Sequence, residues 1–421
     1  MKKYDVIVIG GGTSGVAAAY MAAKLGLKAL VAEKAIHLGG TMTSGLVTPV
    51  MKTEMLDINN TFFNDLIETA KEYNAQLTYS DGNPGWFNPE LLKIVLDKML
   101  VSVNCDVLYS TEFESAAKKN SYYEVNLKSE TLSIQYETKY LVDASGFGFV
   151  AKNLSCNFLD SESFSQATTL RFIMSNVKLD IFEEWITKLD SNRNITTSTC
   201  IDGSIHLSTA YTWDTNKEWA LRPVFKEAIA NGDLLEEDSS YFQIFTIPRM
   251  PTAVAFNCPR ILIDSEQAID KECLTTKLLI KGREQIYRLS RFCNKYLPGF
   301  ENAYISNIAD MLGIRESGRV EGQYIYDIND MVKGKTFDNI ALSTNYPIDI
   351  HSKSKNSSTL EFGHGNYFLP IESLISKKYD DLYIVGRHLS ATFKAQGALR
   401  TQSSCFSMGE AVARHIKSRL V

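Results

Sequence analysis

Six residues near the start of the chain, Gly10-Gly11-Gly12-Thr13-Ser14-Gly15, have the types and spacing of G-x-G-x-x-G. Alone that pattern is weak. Here it follows a β-branched apolar run, Tyr4 to Ile9, and opens an alanine-rich stretch, Ser14 to Leu25, that reads as a helix. A second strand, Lys28 to Ala32, ends in Glu33, 18 residues after Gly15. Strand, glycine turn, helix, strand and terminal acid together make the dinucleotide-binding fingerprint. In it Gly10 permits the tight turn, Gly12 lets a pyrophosphate approach the backbone, and Gly15 lets helix and strand pack closely. The helix N-terminus supplies N–H donors and about half a positive charge for phosphates. Glu33 suits a ribose diol and would repel a 2′-phosphate. Thr13, Ser14 and Lys34 complete this end of the expected cofactor site.

The fingerprint is common to FAD and NAD. Three features favour FAD. The unit opens the chain. Small residues, Gly39-Gly40-Thr41, follow the second strand where a long cofactor would pass. Val385-Gly386-Arg387 and the small-residue turn Gln396-Gly397-Ala398-Leu399-Arg400 bring cofactor-type segments back from the far end. NAD, and with it a dehydrogenase, remains the alternative.

Other residues suit acid–base or anion chemistry. Arg315 and Arg319 are four apart; on a helix they would share a face and clamp a carboxylate. The competing reading is an ordinary ion pair with Glu316 or Glu321. Asp349 and His351 alternate on a strand, so the acid would orient the imidazole. His364 lies between glycines, where backbone can come close to a ligand. Arg315, His351 and His364 are the catalytic candidates. Cys405, near a helix start, reads as a small core residue rather than a reactive thiol. His37 reads as a loop residue near the adenosine half, not a covalent flavin anchor. Arg171 and Arg249 fall on later strands and could face substrate; Trp86, Phe87 and Trp213 could line a pocket. No metal site is expected.

The elements that must position these groups follow from pattern. Asn88-Pro89-Glu90 starts a helix: a capping Asn, Pro at the first position, an acid near the positive end. Short strands follow, Tyr122 to Leu127 and Tyr140 to Val142. From about Gln166 the texture becomes β-rich, with Thr168–Ile173, Ile205–Tyr211 and Phe242–Ile247, consistent with a mixed or antiparallel sheet. Leu274 to Leu297 reads as a long helix stopped by Pro298-Gly299. Asp381 to Gly386 is another buried strand, and a helix closes the chain from about Ser403 to Leu420. The expected fold is α/β: a discontinuous Rossmann-like FAD-binding domain, residues 1–165 and 335–421, with an α+β substrate domain, 166–334, inserted.

Bulk properties exclude other classes. Across 421 residues, Lys+Arg is 44 and Asp+Glu 49, a net charge of −5 without the basic footprint of a nucleic-acid binder. The seven cysteines form no C-x-x-C, which argues against a disulfide framework or an iron–sulfur cluster and suits a reducing compartment. No run of 18 apolar residues occurs, and Asp5 breaks the apolar start that would otherwise suggest a signal peptide. A cytoplasmic location is expected; the oligomeric state is not legible.

With Gly10–Gly15, Glu33, Leu38–Thr41, Val142-Asp143-Ala144-Ser145-Gly146, Leu312–Glu316, Tyr346–His351, Tyr367–Pro370 and Ile384–Ala391 in this order, the chain resembles FAD-dependent oxidoreductases of the glutathione-reductase-like fold. It looks closest to the branch of the fumarate reductase and succinate dehydrogenase flavoproteins. The resemblance implies that Ala144, Gly386, Arg387, Gly397, Arg400 and Ser403 belong to the flavin site, and that the closing helix aims its N-terminus at the ring. It departs from some relatives in lacking cluster cysteines, a second G-x-G-x-x-G and a redox cysteine pair. The expected function is hydride transfer between a small organic substrate and flavin N5, with electrons exchanged with substrate or an external partner. A flavin-dependent isomerase or hydratase without net redox change is the second alternative.

Overall fold

Lys2–Ile9 forms strand β1, buried from Val6 to Ile9 as an apolar run between parallel neighbours must be. Helix α1 (Thr13–Lys24) and strand β2 (Ala29–Ala32) complete a β-α-β unit. Helix α2 (Pro89–Ser102) starts where its cap predicts: Asn88 Oδ1 accepts from the amides of Glu90 at 3.0 Å and Leu91 at 3.2 Å. Strands β3 (Asp106–Leu108), β4 (Thr111–Lys118), β5 (Tyr123–Ser129) and β6 (Ser133–Asp143) follow.

The middle of the chain contributes β7 (Phe172–Ser175), β8 (Thr196–Ile201), β9 (Ser204–Thr212), β10 (Tyr241–Ile247), β11 (Met250–Phe256), α3 (Leu274–Tyr296) and β12 (Tyr304–Ile308). Towards the end come β13 (Ile348–His351), β14 (Leu382–Ile384), α4 (Phe393–Leu399) and α5 (Gln402–Ser418). This computed structural model describes residues 1–51, 58–159, 166–212, 220–262, 273–351, 358–361 and 365–420, with backbone alone at 210–212 and 358–361. His364 and Trp213 lie outside the described residues.

Two sheets organise these elements. The first has the order β3-β2-β1-β6-β5-β4. It is parallel from β3 to β6 and antiparallel beyond. The end of β6 also pairs in parallel with β14, Leu141 opposite Leu382, so a strand from the last tenth of the chain joins the sheet that β1 begins. The second sheet, β8-β9-β10-β11-β7-β12, is antiparallel throughout. The whole is a mixed α/β structure of the kind an FAD-binding Rossmann-type domain requires.

One side of the first sheet carries α1, α2 and α5 in a single apolar cluster. The second sheet packs on α3, where Phe292 meets Phe242 of β10 at 6.4 Å. Asn88 ties the two regions, its Nδ2 donating to the Pro248 carbonyl at 3.0 Å. Among the described residues no helix is long and apolar enough to cross a membrane.

Two local expectations need correction. Residues 396–400, read as a turn, belong to helix α4 and the residue after it. Gly397 serves packing there: a Cβ would come within 3.3 Å of the Asp349 carbonyl and Ile350 Cγ1, so its absence lets α4 lie on β13. Arg315 and Arg319 do not share a helix face, because residues 314–319 form no helix. Gly313 and Thr169 exchange backbone hydrogen bonds at 2.7 and 3.2 Å, and Val320 N–H bonds the His388 carbonyl. A segment bonded outward at both ends has no helical ladder to close.

Candidate functional site

The glycine turn is shaped by how closely α1 approaches β1. Gly10 holds φ +99°, and a Cβ on it would lie 2.6 Å from the Ala144 carbonyl oxygen. A Cβ on Gly15 would stand 1.8 Å from the Gly10 oxygen. Both glycines are therefore demanded by protein atoms. Gly12 is different: its φ of −70° suits any residue, and a Cβ there would meet no protein atom within 4 Å. It would project into a cavity of about 1940 Å³.

That cavity is lined by the turn and first residues of α1 (Gly10, Gly12, Thr13, Ser14), by Glu33 and Lys34 after β2, by Gly40 and Thr41, and by Ala144 after β6. It continues past Gly386, Arg387 and Arg400 to the second sheet, where Arg171, Tyr241, Gln243, Phe245 and Asn257 face it, and it takes in Arg315, Tyr346, Asp349 and His351. Gly15, Gly39, Gly397 and Ser403 do not line it. Gly39 pairs its N–H with the Gly11 carbonyl at 2.9 Å, and Ser403 is buried within the first turn of α5, while Gln402 and the preceding Thr401 face the cavity. Arg249 is exposed elsewhere, beside Asn74.

The acid at the end of β2 is anchored. Glu33 Oε2 accepts from Gly11 N–H at 2.6 Å and Oε1 from Ala35 N–H at 2.8 Å. No side chain caps α1, so its N-terminal donors and the open face of Gly12 look onto the cavity together. Farther along, Arg400 Nε and Gln402 Oε1 are buried without a partner among the described residues. An uncapped helix start, a glycine whose missing side chain no protein atom requires, and unmatched polar atoms along the wall fit a long, doubly phosphorylated cofactor with a polar ring system.

The inner end is rich in guanidinium groups. Arg387 Nε donates to the Gly146 carbonyl at 2.8 Å, and its guanidinium stacks 4.4 Å over the Phe147 ring. Arg315 donates to the Ala167 carbonyl and to Thr169 Oγ1 at 3.0 Å. Gln396 Nε2 braces both segments, reaching the Arg315 and Arg387 carbonyls at 3.1 Å each. Arg400 pairs with Asp349 Oδ2 at 2.9 Å, and His351 Nε2 lies 3.0 Å from Asp349 Oδ1. The alternation expected for Asp349 and His351 on one strand is present in β13.

Burial raises the cost of charge on all of these. Burial opposes ionisation of Asp349, but the His351 hydrogen bond and the charge of Arg400 hold its carboxyl well below the usual range. Burial, then the charge of Arg315, push His351 down to about 3, so its imidazole is neutral at physiological pH. Burial and neighbouring Arg400 bring Arg315 down to about 9, still cationic. Burial lifts Tyr241 to about 12 and keeps its phenol protonated. It also raises the Cys405 thiol, in keeping with a core residue. Among the described residues no three His, Cys, Asp or Glu side chains gather as a metal site would need.

Sequence reasoning missed Tyr241, Gln243 and Asn257. Tyr241 OH donates to Gln243 Oε1 at 2.9 Å and accepts from Asn257 Nδ2 at 3.1 Å. A signal was present: Tyr241, Gln243 and Phe245 alternate along β10 and so share a face. Starting the strand at Phe242 hid that register.

The profile of a family described as FAD dependent oxidoreductase matches residues 5–418. No curated protein matches the chain. Solved structures that resemble it include a geranylgeranyl bacteriochlorophyll reductase-like protein from Thermoplasma acidophilum, 14% identical, covering 100% of this chain and 79% of that one at a TM-score of 0.48. A flavoprotein/dehydrogenase from Cytophaga hutchinsonii is 13% identical, with 100% and 79% covered at a TM-score of 0.45. The p-nitrophenol 4-monooxygenase of Pseudomonas putida is 10% identical, with 100% and 80% covered at 0.46.

The two kinds of glycine should separate in experiment. Gly15→Val should destroy the fold, with loss of the cooperative melt or of soluble protein. Gly12→Val should melt near flavin-stripped wild-type protein and purify with less than about a tenth of the FAD. Full FAD in Gly12→Val would contradict the assignment of that open face.

The state of His351 also has a signature. Its pKa is lower folded than unfolded, so between pH ~6.5 and ~3 the unfolded chain binds more protons, and stability falls as pH drops through that window. The contribution is at most about 1.4 kcal/mol per pH unit. His351→Gln should show a shallower loss of unfolding free energy than wild type from pH 6.5 to 4. Parallel curves would mean that His351 is not held neutral.

Proposed function

Since the chain belongs to the FAD dependent oxidoreductase family, and so is an enzyme whose cofactor is FAD rather than NAD, we propose that FAD lies along this cavity and exchanges a hydride with a small organic substrate at its inner end. The observation that carries the proposal is the open face of Gly12 at an uncapped helix start, on a cavity that runs without interruption to Arg315 and His351. The backbone of Gly12 to Ser14 would take the pyrophosphate and Glu33 the adenosine ribose. Gly386, Arg387 and Arg400 would flank the flavin, within a glutathione-reductase-like arrangement near the fumarate reductase branch. Residues 1–165 and 335–421 would then be the FAD-binding part and 166–334 the substrate side; the pairing of β14 with β6 supports that division.

When bound, FAD supplies reversible two-electron chemistry with hydride exchange at N5. The chain's own groups have distinct tasks. The N-terminus of α5, uncapped by any side chain, offers donors to negative charge. Arg315, fixed by Ala167 and Thr169, orients an anionic group and stabilises developing charge. His351, neutral and held by Asp349, presents an oriented imidazole that orders substrate; its low pKa makes it a weak base.

Acid precipitation of the purified protein should release a yellow supernatant with the mass of FAD. Among candidate organic substrates, one that bleaches the flavin anaerobically should do so about 10²-fold more slowly in Arg315→Ala, with the flavin-to-protein ratio unchanged. Unaltered reduction kinetics in that variant would remove Arg315 from the substrate site.

A further inference from the structure

Arg171 stands out among the cavity's charges. It sits deep in the molecule between β7 and the strand pairing of Thr168 and Thr169, yet keeps part of its surface towards the cavity. A guanidinium has five N–H donors. Among the described residues Arg171 makes one hydrogen bond, from its Nη1 to the Leu46 carbonyl at 3.3 Å, and no ion pair. The groups that act on it electrostatically are Tyr241 and Cys258, both protonated at neutral pH.

Arg315, which shares Tyr241 as a neighbour, also lacks a carboxylate of its own among the described residues. The acid nearest in influence is Asp349, already committed to Arg400 and His351. A buried cation without a counter-ion is costly, and among the described residues no carboxylate is left to match either guanidinium.

The wall beside it changes character along one strand. Tyr241, Gln243 and Phe245 point to the same side of β10, over ~13 Å from first to last at ~3.3 Å per residue. The Tyr241 end is polar and cationic. The Phe245 end is apolar: its ring meets Trp86 at 5.6 Å, and the Trp86 backbone bridges Pro49, which also lines the cavity.

Resting on the reading above that substrate occupies this inner end, we infer that the substrate is an organic carboxylate with an apolar body. Its carboxylate is bound between Arg171 and Arg315, and its body lies along Gln243 towards Phe245. Arg171 is then the residue that selects for the anion. Arg315 alone would leave Arg171 uncompensated, and a neutral substrate would leave both so. A charge-assisted bond to each guanidinium satisfies the corner and fixes which end of the molecule enters.

Difference spectra of the flavin-loaded protein test this, with benzoate, acetate and the neutral isostere benzamide as probes. Benzoate should give a saturable change in the visible flavin spectrum, at least about tenfold tighter than acetate, and benzamide should give none at the same concentrations. Arg171→Gln should weaken benzoate by about tenfold or more with the flavin-to-protein ratio unchanged, and Arg171→Lys should recover part of that loss. Benzamide binding as well as benzoate, undiminished benzoate binding in Arg171→Gln, or loss of flavin from that variant would each overturn the inference. So would flavin-loaded protein that responds to neither carboxylate. Wild-type protein that holds no flavin would instead overturn the functional reading beneath it.

Discussion

The site depends on one close approach. Helix α1 can start at the tip of β1 only because Gly15 presents no Cβ to the Gly10 oxygen, 1.8 Å from where that Cβ would stand. The other flank of α1 is just as tight: a Cβ on Gly409 of α5 would lie 2.3 Å from the Ser14 carbonyl oxygen. The two glycines thus let α1 lie tightly against both the strand tip and the closing helix. The first amides of α1 are therefore held at the cavity edge before any ligand arrives. Glu33 adds a pin from the side through the Gly11 amide. Electrostatic stabilisation is strongest when donors are fixed in advance, because no reorganisation is then needed.

The same logic extends to the far end of the cavity. Three chain segments distant in sequence meet there: the loop carrying Arg315, strand β13 with Asp349 and His351, and the residues around Arg387. Gln396 of α4 binds two of them through their carbonyls, and Gly397 lets α4 press against the third. The guanidiniums are held by carbonyls more than by carboxylates, and carbonyls orient a cation without neutralising it. That keeps positive charge available to a ligand, which a full set of ion pairs would have quenched.

What was legible in the sequence is what local physics decides. The β-α-β opening, the Asn88 cap and the helix ended by Pro298-Gly299 all rest on interactions within a few residues of one another. The return of a C-terminal strand, β14, to the first sheet was also foreseeable from its buried apolar run. The errors lie where tertiary contacts overrule local pattern. Gly397 looks like a turn residue, yet it lies within α4, where the Asp349 carbonyl and Ile350 stand 3.3 Å from the place of a Cβ. Arg315 and Arg319 are spaced for a helix, but bonds to Thr169 and His388 stretch the segment between two partners. Tyr241, Gln243 and Asn257 were hidden because their significance comes from a sheet face opposite a cavity more than a hundred residues away in sequence.

Hydrogen exchange measured by mass spectrometry on flavin-stripped and FAD-reloaded protein tests the central claim, that the clamped start of α1 is the cofactor's phosphate cradle. The account predicts that FAD slows exchange in peptides covering residues 10–16, with smaller effects at 385–387 and 400–405. Strong protection elsewhere with none at residues 10–16 would contradict it.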